Sequence, residues 1–495
     1  HVELDEEIEA DFGNTFTGDF RVGPAEAIHG PFDGPKQVPM DHALGAKPEH
    51  YPKIADSRIC GSCHSVVLPV YDGDEPWSPS PEIPAPEFIL EQATYPEWVF
   101  SDYRDGGAKA ESCQGCHMRS TVEGLDGDLS FKIASIQEAS NFPETDNRRP
   151  KSEIDLDKRT PFSRHTLVGL NVFFVKFAQQ FPDLLGIRVQ DPMLTSKGIA
   201  PLATAYDSMV HQARHRTAAV EVTSIETTGS ELVAEVQVTS DVGHKFPSGV
   251  GFRRAFLEFS VIDGAGDVLW ASGQTSPLGV IVDELERPVA GELWWKDGCE
   301  PTTAAEQRGF FQPHYDEITR QDQAQIYQEL VRDPDDRFTT SFLAIAHSVK
   351  DNRLLPSGWE PSVAAVEANH LASERLSAEE VVHHVTPVLP APGGGKTDDP
   401  WYVPASQGGK GGGGDELTYR VRLDELEGVP ASVRVRLHYQ AIPPFYLQDR
   451  FCTAPQDRDT QRLYFLAGHA DLDGTEAAGW KLEVVSSGEV AVPNR

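Results

Sequence analysis

Two segments of the chain repeat the order Cys-x-x-Cys-His: Cys60-Gly-Ser-Cys63-His64 and Cys113-Gln-Gly-Cys116-His117. The chemistry served by this spacing is covalent attachment of a c-type haem. Two thiols add across the porphyrin vinyl groups, and the adjoining imidazole is delivered to the iron as an axial ligand. With 6 Cys and 17 His in 495 residues, a shuffled chain would hold roughly 0.0025 copies of the motif. A zinc ribbon would separate its cysteine pairs by about 15–20 residues and would not need a histidine after each; here 49 residues intervene. A redox Cys-x-x-Cys belongs beside a βαβ pattern, which the flanks lack. The expectation is two haem c groups, attached at Cys60, Cys63, Cys113 and Cys116, with His64 and His117 as proximal iron ligands.

Each iron then needs a sixth ligand, or an open position if the site is catalytic. Histidine is plentiful outside the motifs and methionine is scarce (Met40, Met118, Met193, Met209), so paired histidines are the default. His165 opens an apolar segment whose small neighbours would admit a porphyrin. His244 sits in Gly243-His244-Lys-Phe-Pro247-Ser-Gly249, a tight turn between strands that would hold a ring rigidly. These two are the expected distal ligands; His42 and His50, ahead of the first motif, are second-rank candidates. His211 and His215 share a helix face at a metal-binding spacing, but with no third ligand nearby an exposed surface is the plainer reading. His314, His347, His383 and His384 read as structural or surface residues. Cys299 and Cys452 form a candidate disulfide, with buried free thiols as the alternative.

Net charge is −34, from 77 acidic and 43 basic residues. That argues against nucleic acid or an anionic membrane as partner. It fits a basic redox partner, a salty habitat or simple solubility. No run approaches 18 consecutive apolar residues, so no membrane span is expected. Haem c is attached on the oxidising side of a membrane, which implies an exported protein, extracellular or at the cell surface, alternatively periplasmic, whose export signal was removed.

The elements that must position these residues fall into two expected parts. Residues 1–216 are irregular and proline-punctuated, the pattern of coil and short helices wrapped around porphyrin. Thr94-Tyr-Pro-Glu97 has a capping-box spacing, and further helices are expected over about Phe162–Phe181 and Pro201–Arg216. From 217 to 495 the apolar period becomes two. Ala219–Thr227, Leu232–Thr239, Ala255–Asp263, Val268–Ser272, Leu417–Leu423, Ser432–Gln440 and Trp480–Val485 read as strands of an immunoglobulin-like β-sandwich. An insertion at about 283–415 is expected to carry helices over Thr319–Arg332 and Ser377–His384. Its Gly393–Gly395 and Gly408–Gly414 runs read as flexible surface loop rather than phosphate cradle. The fold class is therefore α+β.

The run Ser57-Arg-Ile-Cys60-Gly-Ser-Cys-His64, then Glu91-Gln-Ala-Thr-Tyr95-Pro-Glu-Trp98, then Cys113-Gln-Gly-Cys-His117-Met118 resembles the last two haem segments of multihaem c-type cytochromes of bacteria that move electrons outside the cell. The likeness continues through Arg164-His165-Thr-Leu-Val-Gly-Leu-Asn171, Gly243-His244-Lys-Phe-Pro-Ser-Gly249, Gln325-Ile-Tyr327, Lys350-Asp-Asn-Arg-Leu-Leu-Pro356 and Leu437-His-Tyr-Gln-Ala-Ile442. The resemblance implies bis-His, low-spin haems spaced for electron hopping, with His165 and His244 at recurrent ligand positions and the strand-rich part as scaffold or assembly module. Only two haem motifs occur here, where relatives carry more, so a conductive chain would need other haem subunits in contact, as in a homo-oligomer or filament. His42 or His50 could then serve a neighbour's haem. An electron-transfer protein, not an enzyme, is the expectation; the alternative is a di-haem peroxidase or reductase with one open iron.

Overall fold

The computed structural model describes residues 4–72, 75–76, 88–119, 121–124, 127–130, 167–188 and 201–493. Its architecture is α+β: short helices and irregular segments surround the cysteine motifs, and two large sheets and a two-stranded one form among the described residues beyond Thr217.

Alternating burial builds the first sheet. Strand Glu231–Ser240 buries Leu232, Ala234, Val236 and Val238 while the residues between them stay partly exposed, the period of two of a strand with one face on a core. It pairs antiparallel with Ala218–Thr228 and Gly414–Arg422, and Glu317–Ile318 adds a short parallel edge to the latter. The second sheet runs His347–Asp351, Ile326–Arg332, Arg254–Asp263, Pro430–Gln440, Leu482–Ala491, with Val268–Ser272 also paired to Arg254–Asp263. The two sheets face each other across one core. Phe259 of the second stacks on Tyr419 of the first, with ring centroids 4.0 Å apart, among Leu232, Leu257, Val435 and Leu437. Each such fully buried side chain contributes about 1.5–3 kcal/mol. Cys299 and Cys452 are joined by a disulfide.

The helix expected over Thr319–Arg332 does not form. Ile326–Arg332 is a strand hydrogen-bonded to Arg254–Phe256 on one side and to His347–Asp351 on the other. Ile326, Tyr327 and Leu330 share a helical face, but in an interior strand both faces are covered, so residues 326, 327 and 328 are all buried. Seven residues with two-sided burial cannot be told from a helix by period alone. The other expected helices appear as Pro201–Arg216, Ala378–Val385 with a Ser377/Glu380 capping box, and Val172–Gln180 capped by Asn171; the expected start at Phe162 lies outside the described residues. The last strand runs further than expected, to Ala491.

The insertion is more than a decoration of the sheets. Its Leu355, Trp359, Val366 and Val381 share a core with Phe12, Phe16, Tyr95 and Trp98 of the motif-bearing part. Gly393–Gly395 form an exposed turn with positive φ. Gly412 is not surface loop: a Cβ there would lie 2.3 Å from the Pro356 carbonyl oxygen, so glycine permits that close approach. Conversely, Phe173, Phe177, Tyr206 and Val210 of the helices before residue 217 pack into the core between the sheets. Among the described residues no helix is long and apolar enough to cross a membrane.

Candidate functional site

Both cysteine motifs are wound into single helical turns. Cys113–His117 is helical, with the Ser112 side chain accepting from the Gly115 N–H; in the first motif helix Arg58–Gly61 ends at Gly61, and the His64 N–H donates to the Cys60 carbonyl at 2.8 Å. Helical winding brings positions i, i+3 and i+4 to one side, which gathers two thiols and an imidazole. Gly61 lets the first turn sit on Tyr95, since a Cβ would meet that ring at 2.7 Å. The two motifs pack against each other: the Ser57 hydroxyl accepts from the Cys113 N–H at 3.2 Å, and the Gln114 amide donates to the Asp56 carbonyl at 2.9 Å. The Cys60 and Cys113 thiols hydrogen-bond, which lowers the pKa of Cys60 and raises that of Cys113. Burial, with Glu111 and Cys113 adding to it, pushes the Cys116 thiol up to about 11. None of the four motif cysteines is paired in a disulfide, whereas Cys299 and Cys452 are bonded to each other.

Three histidines converge here. The His117 and His244 rings lie with centroids 6.2 Å apart and planes only 12° from parallel. His117 Nδ1 donates to the Val168 carbonyl at 2.6 Å, and His244 Nδ1 donates to the Lys245 carbonyl at 2.8 Å. A carbonyl can only accept, so in both rings Nδ1 carries a proton. Burial pushes the His244 pKa down, the Lys245 carbonyl opposes this, and His117 adds to the lowering; the ring is neutral, the form that ligates metal. His64 is close by: burial, His117 and Arg253 all lower its pKa, and its Nδ1 lies 3.1 Å from the Gln92 side-chain nitrogen.

The turn that carries His244 is clamped from beneath. Glu97 does not close the capping box that Thr94-Tyr-Pro-Glu97 suggests; helix Thr94–Val99 has no side-chain cap. Instead its carboxylate accepts from the Lys245 N–H at 3.2 Å and the Ser248 hydroxyl at 2.9 Å. Arg353 contacts Glu97 at 3.2 Å, Asp351 at 2.8 Å and Glu329 at 3.6 Å, and Lys245 pairs with Asp351 at 2.5 Å. Lys245, Asp351, Arg353 and Glu97 are all buried. Burial raises Glu329 to about 7 against the pull of Arg353, and raises Glu91 to about 7 with Glu329 adding. Gly243 lets the turn lie against Trp98 and Tyr103, where a Cβ would approach within 2.9 Å.

The remaining candidates separate clearly. His165 lies outside the described residues. His42 is exposed on helix Val38–Leu44, and His50 pairs with Asp33 at 2.5 Å; neither is joined to the three converging rings by a described contact. His211 and His215 stand with centroids 4.6 Å apart on helix Pro201–Arg216. His314, fully buried, lies within metal-binding reach of Asp316 and Asp399. Its hydrogen bonds argue otherwise. Gln325 and Asn352 each use their amide oxygen on a backbone N–H, so both present NH₂ groups to His314 Nδ1, at 3.1 and 3.2 Å. Nδ1 therefore accepts, and Nε2 holds the proton it donates to Asp399 at 2.9 Å. This is a hydrogen-bond network and not a metal site.

Sequence reasoning missed Glu97, Gln92 and Arg353 as supports of the histidines. Glu97 and Gln92 stand in a segment whose likeness to a family was visible, but their partners lie far away along the chain. The residues present fit a haem c at the second motif. Two imidazoles ligating one ion through a nitrogen each, at about 2.0–2.1 Å, bring their centroids to roughly 6.3 Å, and His117 and His244 meet that separation with both Nδ1 positions occupied by carbonyl acceptors.

No family model matches the chain, and no curated protein matches it. Among solved structures the chain is similar to a penta-haem cytochrome c552 from Thermochromatium tepidum, at 13% identity and a TM-score of 0.36, over 94% of this chain and 68% of that one.

Proposed function

We propose that the chain is a di-haem c-type cytochrome that passes single electrons. Cys60 and Cys63 would hold one haem and Cys113 and Cys116 the other, with His64 and His117 as proximal ligands. His244 would be the distal ligand opposite His117, and His165 the distal ligand of the remaining iron. The observation that carries this reading is the His117–His244 pair, parallel and spaced for one shared ion, with each Nδ1 proton engaged by a carbonyl. A bound haem supplies a one-electron couple whose potential depends on axial ligands, burial and hydrogen bonding. The chain's own part would be to hold both rings in one tautomer, each Nδ1 on a backbone carbonyl, and to leave no open position for a substrate at that iron. The proposed division places the haem-bearing part at 1–216 and the sandwich at 217–495, the latter as scaffold.

Export is part of the proposal, to an extracellular or cell-surface location or, alternatively, the periplasm; the Cys299–Cys452 bond supports an oxidising compartment. A net charge of −34 favours a basic redox partner, and two haems alone make a short path, so other haem subunits, as in a filament, would extend it. The di-haem peroxidase or reductase reading draws on Glu91, next to Gln92, and its neighbour Glu329, two acids raised to about 7. Absorption and EPR spectra of the oxidised holoprotein test the choice. Two low-spin signals indifferent to carbon monoxide and cyanide are expected; a high-spin signal that responds to either would overturn electron transfer in favour of the enzyme.

A further inference from the structure

The three converging histidines are not held alike. His117 and His244 donate Nδ1–H to backbone carbonyls, which no substitution removes. His64 faces a side chain: its Nδ1 lies 3.1 Å from the amide nitrogen of Gln92. No other described hydrogen bond of the Gln92 amide fixes which of its two heavy atoms points at the ring, and amide oxygen and nitrogen exchange places by a half-turn. If His64 offers Nε2 to an iron, Nδ1 must keep its proton, and the amide must present its oxygen. Gln92 also meets the turn that carries His244. A Cβ at Gly249, where φ is +92°, would lie 2.8 Å from an Arg253 guanidinium nitrogen and 3.9 Å from the Gln92 amide nitrogen. Glycine there leaves room for the Arg253 guanidinium, with the Gln92 amide at ordinary contact distance.

We infer that Gln92 is a positioning residue that accepts the His64 Nδ1 proton and thereby sets the potential of the first haem independently of the second. The inference rests on the reading of His64 as an iron ligand. A stronger acceptor at Nδ1 makes the imidazole a better donor to the metal and stabilises the oxidised iron; removing the acceptor does the reverse. Of the three described ligand candidates, only His64 has a replaceable side chain as that partner.

The test is an optically monitored redox titration of the full holoprotein and of two variants. Gln92→Glu should lower one of the two midpoint potentials, and Gln92→Leu should raise the same one. The other potential should stay in place in both variants. A tenfold change in relative ligand strength, the lower end for loss of such a partner, corresponds to about 59 mV for one electron. Unmoved potentials, shifts of the same sign in both variants, or equal shifts at both irons would overturn the role of Gln92. Mass spectrometry of the peptide bearing Cys60 and Cys63 separates the two levels. If that peptide carries no haem, the haem reading itself fails; if it does and the potentials do not respond, only the inference about Gln92 fails.

Discussion

Replacing Glu97 probes how firmly the turn behind His244 is held. The carboxylate accepts from the Lys245 N–H and the Ser248 hydroxyl, and hydrogen bonds to charged groups contribute about 1.5–3 kcal/mol each. Arg353, the third partner, keeps Asp351 and Glu329, so truncation does not leave a buried charge alone. The expected loss of stability is about 4 kcal/mol for Glu97→Ala and about 2 kcal/mol for Glu97→Gln, whose amide oxygen keeps both bonds, since both fall on Oε2, but without the charge and the Arg353 contact. The cost also depends on pH. At pH 5 Glu329, with its pKa near 7, is protonated, and Lys245 and Arg353 balance Asp351 and Glu97. Removing the Glu97 charge leaves one excess positive charge in the cluster. At pH 8 Glu329 is ionised and restores the balance, so Glu97→Gln should cost more at pH 5 than at pH 8. Guanidinium unfolding followed by far-UV circular dichroism at both pH values reads this directly. In Glu97→Ala the loosened turn should also give a carbon monoxide-responsive fraction in the visible spectrum. A cost below about 0.5 kcal/mol at both pH values, or a larger cost at pH 8, would refute the clamp.

Glu91 should make stability fall as pH rises. Its folded pKa of about 7 lies above the ordinary 4.5, so its contribution is complete below about pH 4.5 and is lost through pH 7. Urea midpoints should therefore favour Glu91→Gln over the parent by up to about 3 kcal/mol more at pH 8 than at pH 4.5; parallel pH profiles would contradict it. Removing the Cys299–Cys452 bond with two serines should cost about 5 kcal/mol by loop entropy across its separation of 153, and unchanged unfolding would count against that role. His244→Ala should turn one haem high-spin by EPR, while His42→Ala should leave both low-spin; the opposite pattern would exchange their roles.

Local chemistry was legible from residue order. The two motif turns, the Ser377/Glu380 cap and the alternation in Glu231–Ser240 follow from neighbours within four positions, the range over which spacing constrains geometry. The Gly243–Gly249 turn could be seen as rigid, though not what it faced. The misread helix at Thr319–Arg332 shows the limit: Ile326 packs with Ile281 and Val289 on one face and Tyr327 in the core between the sheets on the other, so successive residues are buried and the period of two is lost.

The sequence by itself determined the thiol–imidazole sets at Cys60–His64 and Cys113–His117, because each is complete within five residues. Only the tertiary structure decided that His244 meets His117, that Glu97 clamps the turn instead of capping its own helix, and that Gln92 stands at His64. Those pairings join residues 28 to 151 positions apart. Such separations leave no periodic trace, since packing of the whole chain selects them and local spacing does not.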